Sequence, residues 1–183
     1  NMALAIFLFW IIYTLAVAFS LPGAVWLTLI GGFVFGTWGA LICVVTSATV
    51  GSVLIFLAAR YAFADFFHAK AGPMVHRMED GFRENALSYL LFLRLVPVFP
   101  FWLVNLVPAV LGVPLRTYFI GTLVGIIPGS FVYCSVGNGL GAIFEKGEMP
   151  DLGVIFEPQI LIPIIGLAVL SLIPIIFKRI NKT

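Results

Sequence analysis

Carboxylates are nearly absent from this chain: none occurs before Asp65 and none between Glu84 and Glu145. Charge of either sign is scarce, with charged residues at 10%, against about 25% in soluble domains. These gaps exclude whole classes of chemistry. No paired carboxylates, Ser/His/Asp arrangement or P-loop can be found, so an enzyme is not expected. The two cysteines, Cys43 and Cys134, fall in apolar stretches and read as small buried residues rather than a disulfide. His68 and His76 stand beside basic residues with no cysteine nearby, which is a surface pattern rather than a metal site. No metal, cofactor or nucleic acid is expected.

What fills the chain instead is apolar. Hydrophobic residues make up 62%, with 18 glycines and 11 prolines. That composition predicts an all-α polytopic membrane protein forming one membrane domain over residues 1–183. The first apolar stretch has no basic flank and no small-residue cleavage site, so a cleaved signal peptide is not expected. The segment from Leu91 to Pro114 carries the most information: it sets Arg94, Pro97, Pro100, Asn105, Pro108 and Pro114 among apolar residues. In lipid a broken helix leaves backbone groups unpaired, and such breaks survive only where protein or a water-filled cavity surrounds them. An arginine there costs about 2.5–3.5 kcal/mol on insertion scales. Together they imply a polar site at membrane depth.

Segment lengths and breaks give an order of elements. Residues 3–19 are expected to cross the bilayer, and Ser20-Leu21-Pro22-Gly23 stops them. Residues 22–36 are too short to cross and are expected as a re-entrant hairpin, loosened by Gly31, Gly32 and Gly36. Residues 38–61 cross, and 62–85 form a polar amphipathic linker on the membrane surface. Residues 86–113 form a second re-entrant hairpin, 114–140 cross, 142–157 make a loop, and 159–177 cross last. Basic residues flank the linker and follow the last span, whereas the 142–157 loop is acidic. The positive-inside rule then puts linker and both termini in the cytoplasm and the loop outside. The two hairpins enter from opposite sides, as in an inverted repeat among about four transmembrane helices. A shift of 76 positions lays Gly36 on Gly112 and Thr46 on Thr122. Paired short Gly/Pro-broken segments of this kind point to a transporter binding site.

The run Gly31-Gly32-Phe33-Val34-Phe35-Gly36 resembles the first-hairpin signature of the DedA superfamily, also called the VTT-domain or SNARE-associated Golgi protein family. Arg94, Pro97, Pro100, Asn105, Gly112, Phe119, Thr122, Gly125, Pro128, Tyr133 and Gly137 follow the family's order and spacing. The detail is more similar to the yeast-Golgi-like branch than to the bacterial DedA branch. The resemblance implies two opposed re-entrant hairpins and movement of phospholipids or polyprenyl phosphates between leaflets, by scrambling or flipping. One departure matters. Where the DedA branch carries acids, the first hairpin reads Leu21-Pro22-Gly23-Ala24 and Ser52 stands eight residues before Arg60, while Pro100 replaces a second arginine. A carboxylate proton relay is therefore not expected.

Arg94 is the principal candidate for substrate binding, because guanidinium binds phosphate bidentately and stays charged at any relevant pH; its plainer roles are to snorkel to the cytoplasmic surface or to cap the hairpin's free carbonyls. Asn105, Pro97, Pro100, Gly112, Gly36 and Tyr133 complete the candidate set. Asn105 suits a head group or a helix end equally. The prolines and glycines shape the break, and Tyr133 and Thr122 read chiefly as packing. Arg60 and Arg116 read as ordinary topology anchors. The function expected is lipid transport, with anionic membrane lipids as partners, in the plasma membrane (the inner membrane of a bacterium). A small-solute or ion transporter on the same fold and a non-transport membrane scaffold are the alternatives.

Overall fold

The computed structural model describes residues 1–70, 73–95 and 101–145, together with positions 158, 165 and 169. The expected last span, 159–177, and most of the expected loop, 142–157, lie outside the described residues, as do Pro97 and Pro100. Within the described residues the chain is helical throughout, without a strand: α1 (Met2–Ala18), α2 (Ala24–Lys70), α3 (Pro73–Leu95), α4 (Phe101–Val110), α5 (Leu115–Gly125) and α6 (Ile127–Glu145).

Where each helix stops follows from a few residues. Ser20 closes α1 in the left-handed conformation (φ 49°), while Ser20 N–H donates to Val17 O and Leu21 N–H to Ala16 O. That is a Schellman end, with serine where glycine is usual. Gly112 (φ 73°) ends α4 in the same way, Val113 N–H donating to Pro108 O. Gly36 (φ 71°, ψ 169°) divides α2 into a short helix, Ala24–Phe35, and a long one from Thr37. Asn85 (φ −136°, ψ 33°) interrupts α3. Pro128 has no N–H to give the preceding turn, and α5 passes into α6 across Ile126.

Residues 22–36, expected as a hairpin, thus contain one helix running from Ala24 to Phe35. Gly31 and Gly32 stay helical because they serve packing and not a turn. A Cβ on Gly32 would meet Cys134 O, and one on Gly137 would meet Leu29 O. This reciprocal pair brings the short helix and α6 into antiparallel backbone contact, the close approach that small residues permit in membranes. Gly137→Ala should therefore overpack the crossing by about 1–3 kcal/mol and lower the melting temperature of the detergent-purified protein by several degrees. An unchanged melting temperature would contradict the contact.

The same residue pairs fix helix directions. Trp10 Nε1 donates to Thr46 Oγ1 at 3.0 Å, Thr14 Oγ1 to Ser47 O at 3.3 Å, and Gly51 faces Thr14 and Val17. So α1 runs parallel to the long half of α2, and Ala24–Phe35 is the return between them. In the second half Gly121 faces Leu90 and Gly125 faces Arg94, so the end of α3 runs parallel to α5, and α4 is the return. Each half goes out, back and out. One buried cluster, including Phe56, Leu90, Val113 and Tyr118, joins α2 to the second half, and another, including Tyr13, Val17, Val44 and Cys134, joins α1, α2 and α6.

Two helical stretches among the described residues, Ala24–Ala62 and Leu115–Gly139, are long and apolar enough to cross a membrane. Large apolar side chains such as Phe7, Trp26, Phe33, Trp38 and Ile42 are exposed, which suits a lipid-facing surface. The polar linker is helical on both sides, α2 running to Lys70 and α3 starting at Pro73.

Candidate functional site

Arg94 lies in the last turn of α3, where its Cβ sits against Gly125 of α5; a Cβ on that glycine would stand 2.7 Å from it. Helical side chains lean toward the N-terminal end of their helix, so from this contact the guanidinium reaches back along α5. Nη2 donates to Asn105 Oδ1 at 2.9 Å, to Tyr118 Oη at 2.9 Å and to Thr122 Oγ1 at 3.0 Å. Tyr118 Oη in turn donates to Asn105 Oδ1 at 3.2 Å. Asn105, Tyr118 and Thr122 are fully buried. The guanidinium also faces the rings of Tyr118 and Phe101, 5.6 and 5.9 Å from their centroids, within cation–π range.

Three helices supply these groups for local reasons. Asn105 projects from the middle of α4, in a ten-residue helix with Pro108 inside it. Tyr118, Thr122 and Gly125 fall at i, i+4 and i+7 on α5 and therefore share one face. Asn105 must turn its oxygen toward the guanidinium, since an arginine has only donors to offer. That leaves its amide nitrogen pointing away.

Two donors in this cluster are unspent. Arg94 Nε and Asn105 Nδ2 are buried and, among the described residues, have no hydrogen-bond partner. Leaving a buried donor unpaired costs about 1–3 kcal/mol, and more when it is charged. Among the described residues every acceptor that holds Arg94 is neutral, and the sequence places no acid within nine residues of it on either side. The cluster is thus a buried positive charge with two free N–H groups, which is the complement of an anionic oxygen.

Of the residues singled out by sequence, Arg94 and Asn105 come together here. Gly112 turns the chain from α4 into α5. Gly36 makes the corresponding turn in α2, with Asn138 Oδ1 3.8 Å from where its Cβ would be. Tyr133 is half-buried on α6 and is not among Arg94's partners. Thr122, read from sequence as packing, belongs to the cluster, and Tyr118 was missed altogether. Its spacing of four from Thr122 on the same helix face was the available signal.

A family model for the VTT domain matches residues 21–139, the stretch from just before α2 to well into α6. The chain is 28% identical over 172 residues to the transmembrane protein 41 homolog of Caenorhabditis elegans, covering 92% of this chain and 68% of that protein. It is 30% identical over 182 residues to the transmembrane protein 41 homolog of Dictyostelium discoideum, covering 98% and 53%. It is 32% identical over 171 residues to transmembrane protein 41B of Homo sapiens, covering 91% and 56%. The chain thus spans little more than half the length of the latter two. No solved structure matches.

Proposed function

Because the chain belongs to the VTT-domain family of membrane proteins, within the DedA superfamily, we propose that it moves phosphate-bearing lipids between leaflets, with Arg94 and Asn105 as the head-group site. The observation that carries this reading is the pair of unspent buried donors, Arg94 Nε and Asn105 Nδ2. A lipid phosphate in contact with both would neutralise the guanidinium and satisfy both N–H groups without disturbing Nη2, which keeps its neutral partners. Charge-assisted contacts of this kind are about twice as strong as neutral ones. No bond is made or broken, so the site acts as a polar waypoint for a head group that the bilayer core would otherwise exclude.

The architecture supports a site at depth. Thr122 and Gly125 lie six and nine residues beyond the exposed Arg116, about 9 and 14 Å along the helix, near half of a hydrocarbon core about 30 Å thick. In this reading α4 and Ala24–Phe35 are the returning arms of two re-entrant units that enter from opposite sides. Gly36 and Gly112, 76 positions apart, turn with nearly equal positive φ. A residue in the later part of each long helix touches the turn of the other half: Arg60 Nη1 donates to Val113 O at 3.2 Å, and Asn138 approaches Gly36. The pairing makes α1 the counterpart of the end of α3. Linker and termini then face the cytoplasm of the plasma membrane. Single cysteines at positions 72 and 150, in a chain without Cys43 and Cys134, should label from opposite sides; labelling from one side contradicts the inverted repeat.

Transport is tested with the purified chain in vesicles carrying fluorescent phosphatidylserine in both leaflets. A membrane-impermeant quencher should extinguish nearly all the fluorescence with the protein present and only the outer half without it. Fluorescence that stays at half with every phospholipid and polyprenyl phosphate tried, together with uptake of a small soluble anion, would replace lipid transfer by solute transport on the same fold.

A further inference from the structure

Arg60, expected as a topology anchor, also makes contacts that anchoring does not require. An anchoring arginine extends its head group out of the membrane toward water. Arg60 instead folds back over Phe56, four residues earlier on α2, its guanidinium carbon 5.6 Å from the ring centroid, and donates to Val113 O at the α4–α5 turn. Phe56 stacks on Tyr118 with centroids 4.2 Å apart and ring planes 27° apart. The other end of that pair meets Arg94, 5.6 Å from the Tyr118 ring. Arg60, Phe56, Tyr118 and Arg94 therefore form one continuous run across α2, α5 and α3, with a cation at each end of a stacked aromatic pair. Both arginines are half-buried; Arg94 sits among fully buried partners, and Arg60 is followed by Tyr61, which is 84% exposed. Among the described residues Arg60 spends its donors on one carbonyl, leaving most of its five N–H groups available.

Resting on the lipid-transfer reading above, we propose that Arg60 is a second anion site, which holds the lipid phosphate at the linker end before it reaches Arg94. Passage needs sites that bind well enough to be entered and are multiple enough to be left. Arg60 and Arg94 supply two such cations.

The full chain is reconstituted with fluorescent phosphatidylserine or fluorescent ceramide, which lacks phosphate. Arg60→Gln is expected to slow phosphatidylserine transfer at least about fivefold, the effect of roughly 1 kcal/mol, and to leave ceramide transfer within twofold. Arg60→His, titrating in the histidine range, should transfer phosphatidylserine faster at pH 6 than at pH 8, with wild type flat between them. Unchanged phosphatidylserine transfer in Arg60→Gln, or equal slowing of both lipids, would return Arg60 to a cap on Val113 O. A pH-independent Arg60→His variant overturns the proposal as well, and it stands as the test if the glutamine variant does not fold. Radiolabelled inorganic phosphate should stay outside the same vesicles; its uptake would assign the site to a soluble anion. Wild-type protein that transfers neither lipid defeats the lipid-transfer reading itself, an outcome distinct from failure of Arg60 alone.

Discussion

Arg94→Ala is expected to reduce lipid transfer to the rate of protein-free vesicles while the variant is still recovered as folded, monodisperse protein. The three oxygens that hold Nη2 do not all lose their partners, because Tyr118 Oη already donates to Asn105 Oδ1. Removing a buried guanidinium also removes its desolvation cost, which offsets the lost contacts. Lysine in its place keeps the charge but not the planar fork, so Arg94→Lys should retain a fraction of the activity, on the order of a tenth, one decade being 1.4 kcal/mol. Wild-type transfer by a folded Arg94→Ala variant would leave this arginine as a clamp between α3, α4 and α5 and nothing more.

Asn105→Asp separates charge from structure more sharply. The carboxylate has nearly the amide's shape, keeps the oxygen that Nη2 needs, and discards the unpaired N–H. It also supplies Arg94 with a buried counter-ion, an interaction much stronger there than in water. The variant is expected to melt at the wild-type temperature or above it, yet to transfer phosphatidylserine at least about tenfold more slowly, because the site no longer carries net positive charge. Asn105→Leu removes the oxygen as well, and should lose both stability and transfer. If Asn105→Asp were more stable and fully active, the positive charge would have no part in transport.

Residues 22–36 and 86–113 contain no carboxylate or histidine, so they hold no group of the kind a DedA-type relay requires. Transfer should therefore persist when the proton gradient is collapsed with an ionophore. Loss of transfer on collapse would require a proton-carrying group elsewhere in the chain.

Arg94 and Asn105 could be read from sequence because polar groups are expensive among apolar residues, so their presence there demands a reason. The turns at Gly36 and Gly112 were equally visible, since a chain that reverses tightly needs residues tolerant of positive φ. Tyr118 was hidden for the opposite reason: an aromatic side chain on an apolar helix is ordinary, and only its contact with Arg94 from another helix gives its hydroxyl a role. Gly31 and Gly32 suit a tight turn or a close backbone approach alike in sequence, and at Gly32 the approach of Cys134 O decides for the second. The direction of the Arg60 side chain was likewise beyond reach, because a basic residue at the end of a span suits an anchor and an inward-turned guanidinium alike. Composition and spacing thus report where polar groups and breaks fall; which groups meet depends on helix crossings that glycine packing sets.

The central claim is that a lipid phosphate occupies the buried cluster, and an experimental structure of the full chain in phosphatidylserine-containing nanodiscs tests it most directly. The account predicts head-group density within hydrogen-bonding distance of both Arg94 Nε and Asn105 Nδ2, with Nη2 still on Asn105, Tyr118 and Thr122, and no such density in Arg94→Ala. A wild-type cluster in which both donors are bonded to protein groups, with lipid density confined to the outer surface of the helices, would contradict it.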